Sequence, residues 1–278
     1  FRTIIMNKKL FVSVAATASL LACCVVVATP QHANFHQQKT LSIQANDLNR
    51  LTIEAGAGSL KVIGSDSETN VTVTGHIYTT KESPNAYDFS LDRNGQHAEL
   101  VARNHSSSGY WHGNSPRIDL IISLPDGMAL DIEDGSGVIE VKYMNNTIDI
   151  TDGSGDIYIA QGKERLNISD GSGNIKVTDF NGSSDIEDGS GSIEVTNLVG
   201  DLKLDDGSGS IYVNNVTGDV EINDGSGELK VENVGGIVTI DDGSGGITVH
   251  GAGGLKITEA GSGSLKFNDI KGEVEVDS

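Results

Sequence analysis

Seven times the chain writes Asp-Gly-Ser-Gly, at Asp134, Asp152, Asp170, Asp188, Asp206, Asp224 and Asp242, with a constant spacing of 18 residues. An eighth copy reads Ala260-Gly261-Ser262-Gly263. A short fixed period means one supersecondary unit stacked on copies of itself, because so small a unit cannot bury its own apolar face. Within a unit the apolar residues alternate, as at Ile211, Val213, Val216, Val220 and Ile222. Period two marks strands, and the recurring glycines and β-branched residues exclude helix. The sequence predicts an all-β fold: a single-stranded parallel β-solenoid with 18-residue rungs, each holding two short strands and two turns. Rungs roughly 4.8 Å apart make a stack of about eight a rod on the order of 38 Å long.

The irregularities are informative. In the unit that starts at Asp242, Leu255 and Ile257 arrive one place early. This predicts a tightened turn at 250–254 and a compensating bulge at 258–260. Gly162 and Ser184 stand in slots that are apolar in other units, which predicts small packing gaps. The last strand, Glu273 to Val276, reads as an exposed edge, protected by its charges or open to pairing with another chain.

Upstream, Leu51 to Val62 matches Leu255 to Phe267, so the coil begins there, after a polar lead-in over 35–50. It is then interrupted. Val71 to Thr74, Tyr87 to Leu91, Ala98 to Ala102 and Ile118 to Leu124 read as strands, with a hairpin turn at Asp92 to Gly95. They predict an antiparallel or mixed sheet that caps or extends the first rungs. A loop from His105 to Pro116 carries Tyr110, Trp111 and His112. Such a loop suits stacking on a sugar or anchoring a partner, or it simply covers a solenoid edge.

Residues 1–34 read as an export segment, with Lys8 and Lys9 ahead of an apolar run from Leu10 to Thr29. Leu20-Leu21-Ala22-Cys23 resembles a lipoprotein signal in which Cys23 takes the lipid. Cleavage further along and retention as a membrane tether are the other routes. All three predict an exported body in the periplasm, outer membrane or cell surface. The expected organisation is an export segment at 1–34, an N-terminal β region with the first rung and a hairpin insertion at 35–133, and the regular repeat at 134–278. Both cysteines fall in the export segment, so the body has no disulfide. With 39 acidic against 19 basic residues and a formal charge of -20, the surface repels nucleic acid, which is excluded as a partner.

Aligned rungs bring the seven repeat aspartates into one column, where neighbours repel by about 0.9 kcal/mol per pair even at the dielectric of water. A row of Ca²⁺ ions on Asp134, Asp152, Asp170, Asp188, Asp206, Asp224 and Asp242 would offset this. The alternative is turn chemistry: each carboxylate accepts bonds from the following Ser and Gly amides, with the Ser hydroxyls stacked as a second ladder. Calcium β-rolls also coil as paired nine-residue pieces, with a ligand Asp in the sixth place. Here that place is apolar, from Ile139 to Ile247, so their metal chemistry does not transfer. The sequence shows no catalytic motif and requires no cofactor.

Leu51 to Val62, the strand that ends in Leu124-Pro125, and rungs such as Gly189-Ser190-Gly191-Ser192-Ile193-Glu194-Val195 with Gly200-Asp201 resemble the bacterial putative-adhesin family of β-strand repeat proteins. The resemblance implies a solenoid without an established activity. The expected function is a non-enzymatic surface contact, adhesin-like or scaffolding protein with a protein or glycan partner. Outward residues such as Glu194, Lys203, Tyr212, Glu221, Lys230 and Thr239 make any binding face polar. A carbohydrate-binding or polysaccharide-degrading solenoid, and an envelope-signalling accessory, are the alternatives.

Overall fold

The structure, a computed structural model, describes residues 35–80, 85–105 and 116–277, and every element among them is a strand. The coil is as the period predicts. Each turn gives one strand to an inbound sheet, which runs into the Asp-Gly-Ser-Gly corner, and one to an outbound sheet, which leaves it. Both sheets are parallel and in register at 18-residue steps: Leu204 lies between Ile186 and Ile222, and Val213 between Val195 and Val231. Like therefore stacks on like. These six side chains are 0–1% exposed, so the core is a dry double column between the two sheets.

The corner glycines are dictated by the backbone. Gly209 has φ +156°, and a Cβ placed there would lie 1.5 Å from the carbonyl oxygen of Gly191 one rung below. At the opposite corner a second column escapes the sequence reading. Gln161, Asp179, Asn197, Asn215 and Asn233 all take φ between 55° and 67°. Short amide and carboxylate side chains tolerate this conformation. They also bond along the column, Asn197 Nδ2 donating to Asp179 Oδ1 at 2.8 Å and Asn215 Nδ2 to Asn197 Oδ1 at 2.9 Å.

The N-terminal strands are β1 (Phe35–Gln44), β2 (Arg50–Ala55), β3 (Leu60–Ser65), β4 (Asn70–Thr79), β5 (Tyr87–Asn94), β6 (His97–Asn104), β7 (Arg117–Pro125), β8 (Ala129–Asp134) and β9 (Ile139–Lys142). The coil starts with β2 and β3, which pair in parallel with β8 and β9. On their other side β6 and β7 also pair in parallel, adding a rung that precedes the first in space and follows it in sequence. Antiparallel β5 covers β6, and antiparallel β4 and β1 continue from β7. The expected mixed cap is therefore present. The polar lead-in is instead β1, because Leu41 and Ile43 alternate with polar residues against Val73 and Val71. The hairpin turn falls later than expected, at Gly95 and Gln96, between paired Asn94 and His97.

Two further expectations meet the packing. The bulge is real: Ile240 pairs with Ile257 but Asp241 with Glu259, leaving Thr258 out of register to bond back to the Ile240 carbonyl at 3.1 Å. The gap at Gly162 is absent, because Phe180, one rung on and 1% exposed, puts its ring 2.5 Å from where a Cβ would sit. Ser184 is buried as placed, and its hydroxyl has no hydrogen-bond partner.

Two glycine replacements separate the close approach from positive φ. Gly95→Ala has φ +65° and open space, and costs about 1 kcal/mol. Gly209→Ala drives Cβ into backbone and costs more than about 3 kcal/mol in urea unfolding. Equal losses would show that close rung contact does not set the corner.

Candidate functional site

The seven repeat aspartates form the column expected of them, Asp134 beside Asp152 and so on to Asp242 in direct register. Alternation turns each inward at the end of its inbound strand, and all seven are buried, from 8% exposed at Asp134 to 0% at Asp242. One oxygen is used. Oδ1 accepts the amide of the Ser two residues on at 3.0–3.3 Å in six rungs, and Asp134 Oδ1 accepts the Gly135 amide at 2.9 Å. This is the predicted turn chemistry. The Ser hydroxyls form no ladder of their own: no hydrogen bond joins them among the described residues, and the rungs are tied by backbone, as in Gly191 N–H to Ser208 C=O at 3.0 Å.

The second oxygen is the unusual part. Oδ2 of every one of the seven is buried without a partner. Calcium requires six to eight oxygens, whereas each rung offers one unused carboxylate oxygen. A glycine also walls it: a Cβ on Gly191 would stand 3.2 Å from Asp188 Oδ2. No group of three or more His, Cys, Asp or Glu among the described residues is arranged to hold a metal ion. The donor set does not fit a calcium ladder.

Protons fit better. Burial, and then the charge of Asp152, pushes Asp134 up to about 7. Burial first, with neighbouring repeat aspartates contributing, pushes Asp152, Asp188, Asp206 and Asp224 to about 6. Asp170 and Asp242 are raised by burial, with Asp156 and Asp241 adding to them. Unpartnered Oδ2 atoms in a dry column disfavour charge, and the Ser amides recover only part of that cost.

The outer faces differ in kind. On the inbound sheet the outward positions are mainly acidic, including Asp149, Asp185, Glu187, Asp205 and Glu221, with Arg165 and Lys203 among them; a shallow cleft lies between Arg165, Asp185, Lys203 and Glu221. On the outbound sheet Lys and Glu balance. Lys61 meets Glu140 at 3.0 Å, Lys176 meets Glu194 at 2.8 Å and Lys230 meets Glu232 at 3.0 Å. Cys23, Tyr110, Trp111 and His112 lie outside the described residues. At the edge of that loop, His105 Nε2 is 2.6 Å from Asp88 Oδ2, which ties the end of β6 to β5.

These features define a parallel β-solenoid of about eight turns with a carboxyl column in its corner and two unlike outer faces. The profile of the Toastrack DUF4097 family matches residues 48–262, and the chain belongs to that family. Among solved structures, a putative adhesin from Parabacteroides distasonis shares the fold, with a TM-score of 0.51 at 13% identity over 87% of this chain and 97% of that one. A putative cell adhesion protein from Clostridium sporogenes covers 87% of this chain and all of its own at 17% identity, with a TM-score of 0.36. A putative adhesin from Parabacteroides merdae gives 0.40 at 12% identity, over 84% and 96% of the two chains. No curated protein matches the chain.

The raised pKa values fix the sign of a pH effect. Groups raised above the ordinary 3.8 stabilise the fold fully below about pH 4, and that contribution disappears as pH climbs through 6 to 7. Thermal melts followed by circular dichroism should therefore fall between pH 5 and pH 8. The triple replacement of Asp188, Asp206 and Asp224 by Asn should reduce that fall. An unchanged slope would place the titration elsewhere. In the same assay at pH 7, millimolar Ca²⁺ and EDTA should give coincident melts; a rise of many degrees with Ca²⁺ would restore the ion ladder.

Proposed function

We propose that this protein is an exported, non-enzymatic contact rod of the cell envelope, adhesin-like in the sense of its structural neighbours. The observation that carries this reading is the sorting of charge onto two continuous outer sheets, acidic on one side and balanced on the other. Stacking repeats each outward position every rung, so a partner meets an extended, regular polar surface. The name of the Parabacteroides distasonis neighbour as a putative adhesin supports the same reading, as does the export segment expected at 1–34 with Cys23 as its lipidation candidate.

The partner is a protein or glycan surface. The acidic inbound sheet favours one that presents cations, and the loop of Tyr110, Trp111 and His112 adds a candidate anchor. Labelled protein added to intact cells and isolated envelopes should bind saturably and weaken as salt rises. Replacing Asp185 and Glu221 by their amides should lower that binding severalfold without moving the melt. Cell fractionation should find the native protein with the envelope. A cytoplasmic protein that binds no envelope surface would end this reading.

A further inference from the structure

The central outward column of the outbound sheet has an order of its own. In-register pairing runs it through Lys61, Glu140, Tyr158, Lys176, Glu194, Tyr212 and Lys230. Lys, Glu and Tyr thus recur every third rung, a super-period of roughly 14 Å. The flanking column adds Lys142 beside Glu140 and Glu232 beside Lys230.

This order is self-complementary under a half-turn. Take an axis parallel to the strands, midway between the rungs of Lys176 and Glu194. Rotation about it sets Lys176 against Glu194 of a second copy, Glu140 against Lys230, and Lys142 against Glu232. Tyr158 then faces Tyr212. The flanking Thr178 and Thr196 also come together, and no like charges are opposed among these positions. An isologous dimer requires such a pattern, in which each contact occurs twice. The side chains are available: Tyr158 is 37% exposed, and Lys176 and Lys230 retain 45% and 47% exposure despite their ion pairs. Tyr212 is half-buried and fixed in place, its hydroxyl donating to Glu232 at 3.0 Å and Lys230 Nζ 5.2 Å from its ring centroid.

We propose that the outbound sheet is a homodimerisation surface, on which two copies pack face to face with rod axes antiparallel and the acidic inbound sheets turned outward. The inference deepens the contact reading above by naming a second copy as the partner of one face. Charge argues for this face. The protein carries -20 overall, so two inbound sheets would repel, and the balanced outbound sheet is where two copies can meet. The area is adequate. A face of roughly 38 Å by 15 Å buries about 1,200 Å² in total, at the low end for specific interfaces. Exposed ion pairs contribute little affinity but fix register, while the two Tyr158–Tyr212 contacts supply most of the apolar burial.

Glu140 and Lys230 provide the test, because they sit five rungs apart in one chain and meet only between chains. Sedimentation velocity of the purified protein should show a dimer at low salt that dissociates as salt rises. Glu140→Lys and Lys230→Glu should each weaken it by about tenfold or more. The double variant, and an equimolar mixture of the two single variants, should recover it, since charges again oppose across the axis. As a readout without variants, photo-oxidative cross-linking of the unaltered protein should join Tyr158 to Tyr212 between chains, identified by mass spectrometry. A monomer at every concentration and salt, or single variants that fold and dimerise as before, or a double variant without recovery, overturns the proposal. A monomeric rod that still binds envelope surfaces removes this inference and leaves the contact reading standing.

Discussion

Everything above the level of a single rung depends on the corner where a buried carboxylate holds a serine amide between two glycines. The glycines let successive corners approach to backbone contact, since a Cβ at Gly209 would fall 1.5 Å from a carbonyl below. The aspartate then fixes the turn by occupying its own Ser amide. Because this geometry repeats without drift, strands stay in register and Ile and Val stack on their counterparts. The cost is a file of carboxyl groups at rung spacing with one oxygen each left dry. Their raised pKa values are the direct electrostatic result.

The same register produces the outer surface. Once side chains repeat at fixed positions, any bias in the sequence of outward residues becomes a stripe. On the inbound sheet the bias is acidic; on the outbound sheet Lys, Glu and Tyr follow one another, and Lys61, Lys176 and Lys230 each pair with a Glu. A strongly acidic chain can thus present one repelling and one neutral face. That division underlies the contact role proposed above.

Much of this was legible in the sequence. The 18-residue period fixes the solenoid, its corner and the inward column from Asp134 to Asp242, because the repeat is its own alignment. The rung built by β6 and β7 was not legible. The segment joining them lacks the Gly-Ser-Gly corner, and pairing with β2 and β3 reverses the order of sequence and space. Asn197, Asn215 and Asn233 did carry a signal, each nine residues past a repeat aspartate, but their left-handed backbone emerges only with the coordinates. Composition hides the charge sorting: pooling Glu194, Lys203, Tyr212, Glu221, Lys230 and Thr239 mixes residues from opposite sheets. The state of the column was out of reach as well, since it turns on which carboxylate oxygen lacks a donor.

Burial raises the corner aspartates of the folded rod well above the ordinary carboxylate range, so that they keep protons into mildly acidic solution. Side-chain carboxyl ¹³C NMR of protein labelled at aspartate, titrated from pH 3 to pH 8.5, tests it most directly. A resolved group of aspartates should show midpoints near 6 to 7, as for Asp134 at about 7 and Asp206 at about 6, and should move to the ordinary range on unfolding. If all aspartates in the folded protein titrate at or below the ordinary 3.8, burial does not raise the column, and the proton-holding corner is wrong.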